Sequence, residues 1–170
     1  MAHPSLNKGF GLLLVASTAV HGWSTLGATP TPVAPRCDLQ QLNDAYIRRV
    51  TSERQRVDPG APPAHFDRNL LAGTVAFSQL LERNDTLYHD NTRYAELVGT
   101  FLDADPTTPA QVAQLVYERL RASAYHCEIQ ADAGLTGICL SATRRSYVVR
   151  LSRVPAADNP ARHQRRRAMR

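Results

Sequence analysis

Apolar residues recur at helical spacing in three stretches of the chain, and a side chain that can cap a helix precedes each stretch. Asp38 precedes the first stretch, Asp67 the second and Thr108 the third. At the third, Pro109 in the first turn and Gln111 complete a capping box. The pattern therefore predicts three amphipathic helices. Their positions on the buried face are Leu39, Leu42, Tyr46, Ile47 and Val50; Leu70, Leu71, Thr74, Phe77 and Leu81; and Val112, Leu115, Val116 and Leu120.

Later in the chain the apolar period changes from helical spacing to strict alternation, which predicts strands. The alternating positions are Ile129, Ile138, Leu140, Tyr147, Val149 and Leu151. Between the second and third helices we expect a loop around His89 and then a short helix from Arg93 to Leu102. Helices first and strands last predict an α+β domain over residues 37–155. We expect an α-β-α sandwich in which the helices cover a small antiparallel sheet.

Both ends of the chain differ from this body. Residues 1–28 contain Lys8 and then the apolar run Gly9–Val20, which has about the length of a signal-peptide core and is short for a membrane span. This pattern predicts a removable secretory signal, with a retained N-terminal anchor as the alternative. Residues 29–36 form a Pro-rich linker. The expected location is the periplasm or the outside of the cell. The mature protein is expected to be a monomer with no membrane span after cleavage of the signal.

The positive charge is concentrated near the C-terminus. The formal net charge is +5, and five of the 19 Arg lie in the last nine residues. Without Lys8 and those five, 14 Arg face 15 acidic residues, and a near-neutral body does not favour specific nucleic-acid binding. Residues 156–170 lack apolar periodicity, so we predict a disordered Arg-rich tail. The tail is either a solvated terminus or an anion-binding segment for lipid phosphates, cell-envelope polymers or nucleic acid.

Export changes how the three cysteines are interpreted, because an oxidising compartment allows one disulfide and one remaining thiol. Cys127 and Cys139 flank the turn signal Asp132–Gly134 and are predicted to pair across a hairpin. Cys37 is then free, or it competes for either partner. The cysteine spacing does not favour a zinc–thiolate site.

Several short motifs, taken in order, resemble those of one secreted superfamily. They are Pro62–Asp67 with Leu70, a His at His89, Ala95–Glu96–Leu97, Leu120–His126, Leu135–Ile138 and Ser146–Val149. Over about Leu39 to Val154 the chain resembles a compact bacterial CAP (SCP-like) domain, the superfamily of cysteine-rich secretory, antigen 5 and pathogenesis-related 1 proteins. It departs from the motifs at Ala95, Leu97 and Leu120, where the superfamily has Gly, Asn and Trp.

The resemblance implies a shallow cleft in which two His and one or two Glu converge and which holds a divalent metal in some members. Carried over by position, the metal ligands are His89, Glu96 and His126, and Ser123 joins them in the ligand-binding cleft. Two neutral imidazoles and a carboxylate suit Zn²⁺ with an open coordination position. Glu118 is the nearest candidate for a second acid, but it points away from the face that carries Leu120.

Three functions are compatible with this reading. The cleft binds a metal, a small ligand or a cell-envelope component without catalysis; or it is a metal-assisted hydrolase with Glu96 as base; or the basic tail acts as an interaction module. Ser123 precedes His126 by three residues, so the two could touch on a helix. The sequence has no nucleophile elbow, and capping or packing is the favoured role of Ser123.

Overall fold

The structure is a computed structural model that describes residues 36–90, 92–101 and 104–153. The predicted signal peptide, nearly all of the Pro-rich linker and the Arg-rich tail lie outside the described residues. The described part forms, in chain order, α1 (Leu39–Val57), β1 (His65–Phe66), α2 (Arg68–Asn84), β2 (Ala95–Thr100), α3 (Pro109–Arg121), α4 (Ala124–Ala131), β3 (Gly137–Ala142) and β4 (Ser146–Ser152).

The three predicted long helices are confirmed, and their caps explain where each begins. The side chain of Asp38 accepts a hydrogen bond from the backbone N–H of Gln41, at 2.7 Å, and so satisfies a donor in the first turn of α1. Asp67 caps α2 in the same way. At α3, Thr108 and Gln111 form the reciprocal capping box. None of the helices in the described part of the chain is long and apolar enough to cross a membrane.

Two of the predicted elements are wrong. The short helix expected from Arg93 to Leu102 is instead the strand β2, which pairs with β4 along its whole length. The strand expected around Ile129 is instead α4, a helix with a single buried residue, Gln130. Glu96 therefore projects from a strand and not from the start of a short helix, and His126 lies within a helix and not where a helix gives way to a strand.

The four strands form one sheet in the order β1-β3-β4-β2. β2, β4 and β3 are antiparallel as predicted, whereas β1 runs parallel to β3, so the sheet is mixed. β1 is only two residues long. Farther along β3, the side chain of Asn43 on α1 hydrogen-bonds to the strand backbone in its place. The amide of Asn43 accepts from Leu140 N at 2.7 Å and donates to Leu140 O at 2.9 Å.

Helices cover both faces of this sheet, which confirms the α-β-α sandwich. α1 and α3 pack on one face, and α2 packs against β3 and β4 on the other. The α1 face holds the main apolar core, to which the sheet contributes Leu97, Ile138, Leu140, Tyr147, Val149 and Leu151. The α2 face has a smaller apolar cluster of Phe77, Leu81 and Val148. Polar side chains occupy much of the remaining α2 face, and the candidate site lies among them.

Candidate functional site

A buried ion pair joins the two strands beneath α2. Glu96 on β2 and Arg150 on β4 are direct cross-strand partners in the sheet register. Arg150 Nε donates to Glu96 Oε2 at 2.9 Å. The two residues are only 7% and 4% exposed, respectively. Charges so far from water persist only when they are paired and hydrogen-bonded, so each residue requires the other.

The loop after α2 is bound to both members of this pair. The backbone N–H of Asp90 donates to Glu96 Oε1 at 2.8 Å, and Asp90 Oδ2 accepts from Arg150 Nη2 at 2.7 Å. The guanidinium of Arg150 also lies over the ring of Phe77, 5.3 Å from its centroid. These contacts hold the loop in place against the sheet and therefore position the residue that precedes Asp90.

That residue is His89, whose Nδ1 lies 3.4 Å from Glu96 Oε1. A carboxylate beside Nδ1 favours a proton on that nitrogen, because two unprotonated acceptors would repel each other. The neutral ring then keeps Nε2 as its unprotonated nitrogen. The side chain of His89 is 53% exposed, whereas that of Glu96 is 4% exposed, so the imidazole is accessible and its carboxylate partner is not.

His126, on α4, lies within electrostatic range of His89. Partial burial lowers the pKa of His126, and the positive charge of a protonated His89 lowers it further. The structure thus brings His89 and Glu96 into contact, and the charge of His89 adds to the effect of burial on the pKa of His126. Because burial favours its neutral form, His126 is suited to accept a hydrogen bond or a metal ion at neutral pH.

The other two sequence candidates do not extend this group. Ser123 occupies the N-cap position of α4, but its side chain makes no capping hydrogen bond. The described hydrogen bonds also include none between Ser123 and His126. Glu118 is exposed on α3 and accepts a hydrogen bond from Gln114. Neither residue shows the partner that a nucleophile or a second catalytic acid requires.

The predicted metal set of His89, Glu96 and His126 stays a prediction. Among residues 36–90, 92–101 and 104–153, no group of three or more His, Cys, Asp or Glu side chains is arranged to hold a metal ion. Both carboxylate oxygens of Glu96 already accept hydrogen bonds, from Asp90 and from Arg150. Glu96 would have to leave the Arg150 ion pair to bind a metal directly, so it does not fit the role of a direct ligand.

The three cysteines, Cys37, Cys127 and Cys139, are free thiols in the structure. Cys127 lies on α4 and Cys139 on β3. The prediction that the two cysteines face each other across a hairpin is therefore wrong. Cys139 is completely buried, and its burial raises the pKa of the thiol to about 11. Such a thiol stays protonated and unreactive at neutral pH.

Sequence reasoning missed Arg150 and Asp90, the residues that fix Glu96 in place. A signal was present at Arg150, which is the one charged position in the strand sequence Ser146–Ser152. An arginine within a strand that is buried on both faces requires a carboxylate nearby. The alternation along β4 places Arg150 on the same face as Val148, opposite Val149 and Leu151. The carboxylate partner of Arg150 must therefore lie on the α2 side of the sheet.

Comparisons with known proteins give little beyond this geometry. No protein-family model matches the sequence, and no curated protein matches it. The chain is similar to the crystal structure of an extracellular protein containing a SCP domain from Bacillus anthracis str. Ames, at 13% sequence identity and a TM-score of 0.48. The match covers 68% of this chain and 43% of that chain, so this chain spans less than half the length of that protein.

Proposed function

We propose that the chain is an exported CAP-like domain that binds a small ligand or a divalent metal through His89 and His126. In this proposal the buried carboxylate of Glu96 is a positioning residue, and Arg150 holds that carboxylate in place. The observation that supports it is the contact of Glu96 Oε1 with His89 Nδ1, made by a carboxylate whose two oxygens are bound on the protein side. A carboxylate behind an imidazole is the arrangement by which proteins orient histidines for binding.

Binding is better supported than hydrolysis. A general base must come within hydrogen-bond distance of the proton that it removes. The side chain of Glu96 is 4% exposed, and Arg150 offsets its charge at 2.9 Å, so a substrate cannot reach a free carboxylate there. A hydrolase with Glu96 as base would therefore have to break a buried ion pair in every cycle.

The ligand that fits this surface is either a metal ion that the imidazole nitrogens coordinate or a molecule that donates hydrogen bonds to those nitrogens. His89 presents Nε2, and His126 favours its neutral form, so both rings offer a lone pair. A divalent metal would have His89 and His126 as its protein ligands, with Glu96 orienting His89 from behind. Envelope binding through the basic tail concerns residues outside those described, and the fold offers it no support.

The tautomer of His89 tests the supporting observation directly. Long-range ¹H–¹⁵N NMR correlations at neutral pH distinguish Nδ1–H from Nε2–H in each imidazole. We expect Nδ1–H for His89 in the native chain and its loss in Glu96→Gln, with the exposed His65 as the internal control. An Nε2–H tautomer at His89 in the native protein would show that Glu96 does not position this ring.

Binding itself is tested with Zn²⁺ on metal-free, purified full-length protein by calorimetry. His89→Gln and His126→Gln are each expected to weaken binding by at least about tenfold, because each removes one of the protein ligands. His65→Gln is the matched control and should bind as the unmodified chain does. Equal affinity in all four proteins would place the metal elsewhere and refute the metal form of the proposal.

A further inference from the structure

The two outer edges of the sheet differ in how their backbone groups are satisfied. At one edge, β1 pairs with the start of β3, and beyond β1 the side chain of Asn43 hydrogen-bonds to the backbone of Leu140. The other edge is β2, which pairs with β4 and has no strand on its outer side within the described part of the chain. An open edge presents unpaired backbone groups that can pair with another chain.

The strand register shows which backbone groups of β2 face outwards. Directly after β2, the N–H of Phe101 donates to the carbonyl of Arg145 at 2.7 Å. Hydrogen-bonded residues alternate along an antiparallel ladder, so Leu97 and Gly99 also bond to β4. The residues between them turn their N–H and C=O groups away from β4 and towards the open edge. These outward residues are Glu96, Val98 and Thr100.

Most of this outward row is left unpaired. The carbonyl of Thr100 accepts from Arg119 Nη1 at 2.7 Å, and a carbonyl can accept a second hydrogen bond. Among residues 36–90, 92–101 and 104–153, no other hydrogen bond reaches the outward backbone groups of Glu96, Val98 or Thr100. Gly99 is only half-buried although it has no side chain, so backbone is exposed to solvent in this strand.

β2 also lacks the features that usually keep edge strands apart. Prolines, exposed charges and bulges protect most natural edges. β2 contains no Pro and no Lys, and its pairing with β4 continues without a bulge over all six residues. Its one charged side chain, Glu96, is buried and paired with Arg150 at 2.9 Å. Two copies of this edge therefore do not repel each other.

Exposed apolar side chains lie beside this open edge. Four large apolar side chains are exposed in the part of the chain that the structure describes, and two of them, Leu87 and Tyr88, lie in the loop after α2. Leu87 lines a pocket together with Thr100, so the loop passes beside the end of β2. Farther along the same loop, Asp90 bonds to Glu96 near the start of β2. The loop therefore follows β2 and places apolar surface next to its edge, as interaction surfaces do.

We propose that β2 pairs in antiparallel orientation with β2 of a second copy of this chain, which joins two four-stranded sheets into one. A two-fold axis beside Val98 sets it against the partner's Val98. The same axis sets Glu96 against the partner's Thr100, and Thr100 against the partner's Glu96. Each pair exchanges two hydrogen bonds, because the outward residues recur at every second position in both copies. Identical patches that meet across a two-fold axis form the commonest type of protein dimer.

The charges beyond the ends of β2 favour a second copy as the partner. The exposed Arg93 precedes β2, and Asp105, whose side chain is 93% exposed, follows it. Antiparallel pairing brings the Arg93 end of one copy towards the Asp105 end of the other, so opposite charges approach each other at both ends. The strand is already formed in each copy, so pairing orders little additional chain. The proposed His89–His126 function does not require this dimer.

Sedimentation velocity of the full-length protein tests the association itself. We expect a reversible change from monomer to dimer between about 5 and about 500 µM, since the dimer fraction depends on protein concentration. A protein that stays monomeric over this range would overturn the proposal. The monomer expected from the sequence did not take this edge into account, because the sequence does not show the strand order.

Val98→Pro tests whether the edge of β2 is the contact. It removes the central outward N–H, which does not bond to β4, and edge strands tolerate Pro at such positions. The dimer should weaken at least about tenfold, because the two-fold axis makes the loss occur twice. Val98→Ala is the matched control, since it also shortens the side chain but keeps the N–H, and it should still dimerise. Equal association of the two variants would place the contact elsewhere and overturn the proposal.

Amide hydrogen exchange needs no variant and covers the case in which Val98→Pro fails to fold. The N–H groups of Leu97 and Gly99 donate to β4 and should be protected at any concentration. The N–H of Val98 should exchange rapidly in dilute protein and at least about tenfold more slowly once the dimer forms. Slow exchange at Val98 in dilute protein would mean that its N–H already has a partner in the monomer. That result, or rapid exchange at Val98 in the dimer, would overturn the proposal.

Discussion

Replacing Glu96 with Leu would leave the guanidinium of Arg150 buried beneath α2 with Asp90 as its remaining carboxylate. Removing one partner of a buried ion pair costs about 3–5 kcal/mol, because the other charge remains desolvated. Asp90 reduces this cost, since its oxygen stays 2.7 Å from Arg150 Nη2, although its side chain is 47% exposed and partly screened. We therefore expect a loss of about 2–4 kcal/mol in the free energy of unfolding.

The measurement is urea unfolding followed by far-UV circular dichroism, with Arg150→Met and the double variant Glu96→Leu/Arg150→Met completing a cycle. The double variant removes both charges and keeps an apolar chain over Phe77, so it should recover to within about 1 kcal/mol of the unmodified protein. The coupling between the two positions should then be at least about 2 kcal/mol.

Asp85→Asn is the control for this cycle. Asp85 pairs with Arg145 at 3.0 Å on the surface, where the two side chains are 71% and 44% exposed. Asn tolerates the left-handed backbone at this position, where φ is 51°. This control should cost less than about 1 kcal/mol. A cost below about 1 kcal/mol for Glu96→Leu, or costs that simply add in the double variant, would refute the reasoning about a buried, mutually dependent pair.

Three further predictions test other parts of the fold. Because burial and a neighbouring imidazole lower the pKa of His126, stability should be fully present above its usual pKa of about 6.5 and should fall as the pH drops through the lower folded value. The melting temperature of His126→Gln, measured between about pH 5 and pH 8, should lack the fall in stability that His126 causes at low pH. The same pH profile in the variant and the unmodified protein would contradict this prediction. Cys139, with a pKa of about 11 and no exposed surface, should be alkylated in the native protein at least about tenfold more slowly than Cys37, and equal rates would be inconsistent with its burial. Gly99→Ala would place a Cβ 2.1 Å from the hydroxyl oxygen of Tyr147, so it should cost about 1–3 kcal/mol in urea unfolding, and a neutral effect would show that the ring can move away.

Sequence patterns predicted the parts of the fold that have local causes. The N-cap side chains of Asp38, Asp67 and Thr108 contact backbone donors two or three residues ahead, so the whole signal lies within one turn. The strands β3 and β4 were predictable because apolar alternation continues along both. The resemblance to CAP domains also indicated that His89 and Glu96 belong together, and the structure places them in contact.

β2 and α4 were mistaken because their conformations depend on distant partners. Tyr94, Leu97, Val98 and Phe101 have helical spacing, yet residues 95–100 are a strand because they complete the sheet against β4. α4 is short, and Gln130 is its single buried residue, so it has no apolar stripe to indicate a helix. Tertiary contacts override weak local preferences in both segments.

The support of the site could not be predicted from local patterns for the same reason. Arg150 and Glu96 are 54 residues apart, and only the pairing of β2 with β4 makes them neighbours. Asp90 lies in a loop without periodicity, and its contacts with Glu96 and Arg150 depend on where the sheet ends. A buried arginine in β4 indicates that a partner exists, but the choice among the acidic residues of the body requires the strand register.

The places where the described chain joins the sheet determine how the domain would respond to a pulling force. Arg36 bonds to Ala142 at the β3–β4 turn, whereas Arg153 follows the far end of β4. These points lie at opposite ends of a seven-residue strand, which spans roughly 20 Å. Tension applied between them acts along β4, across hydrogen bonds that run perpendicular to the strand on both of its sides. Those bonds share the load in shear and must break together, so a domain tethered at both ends resists extension.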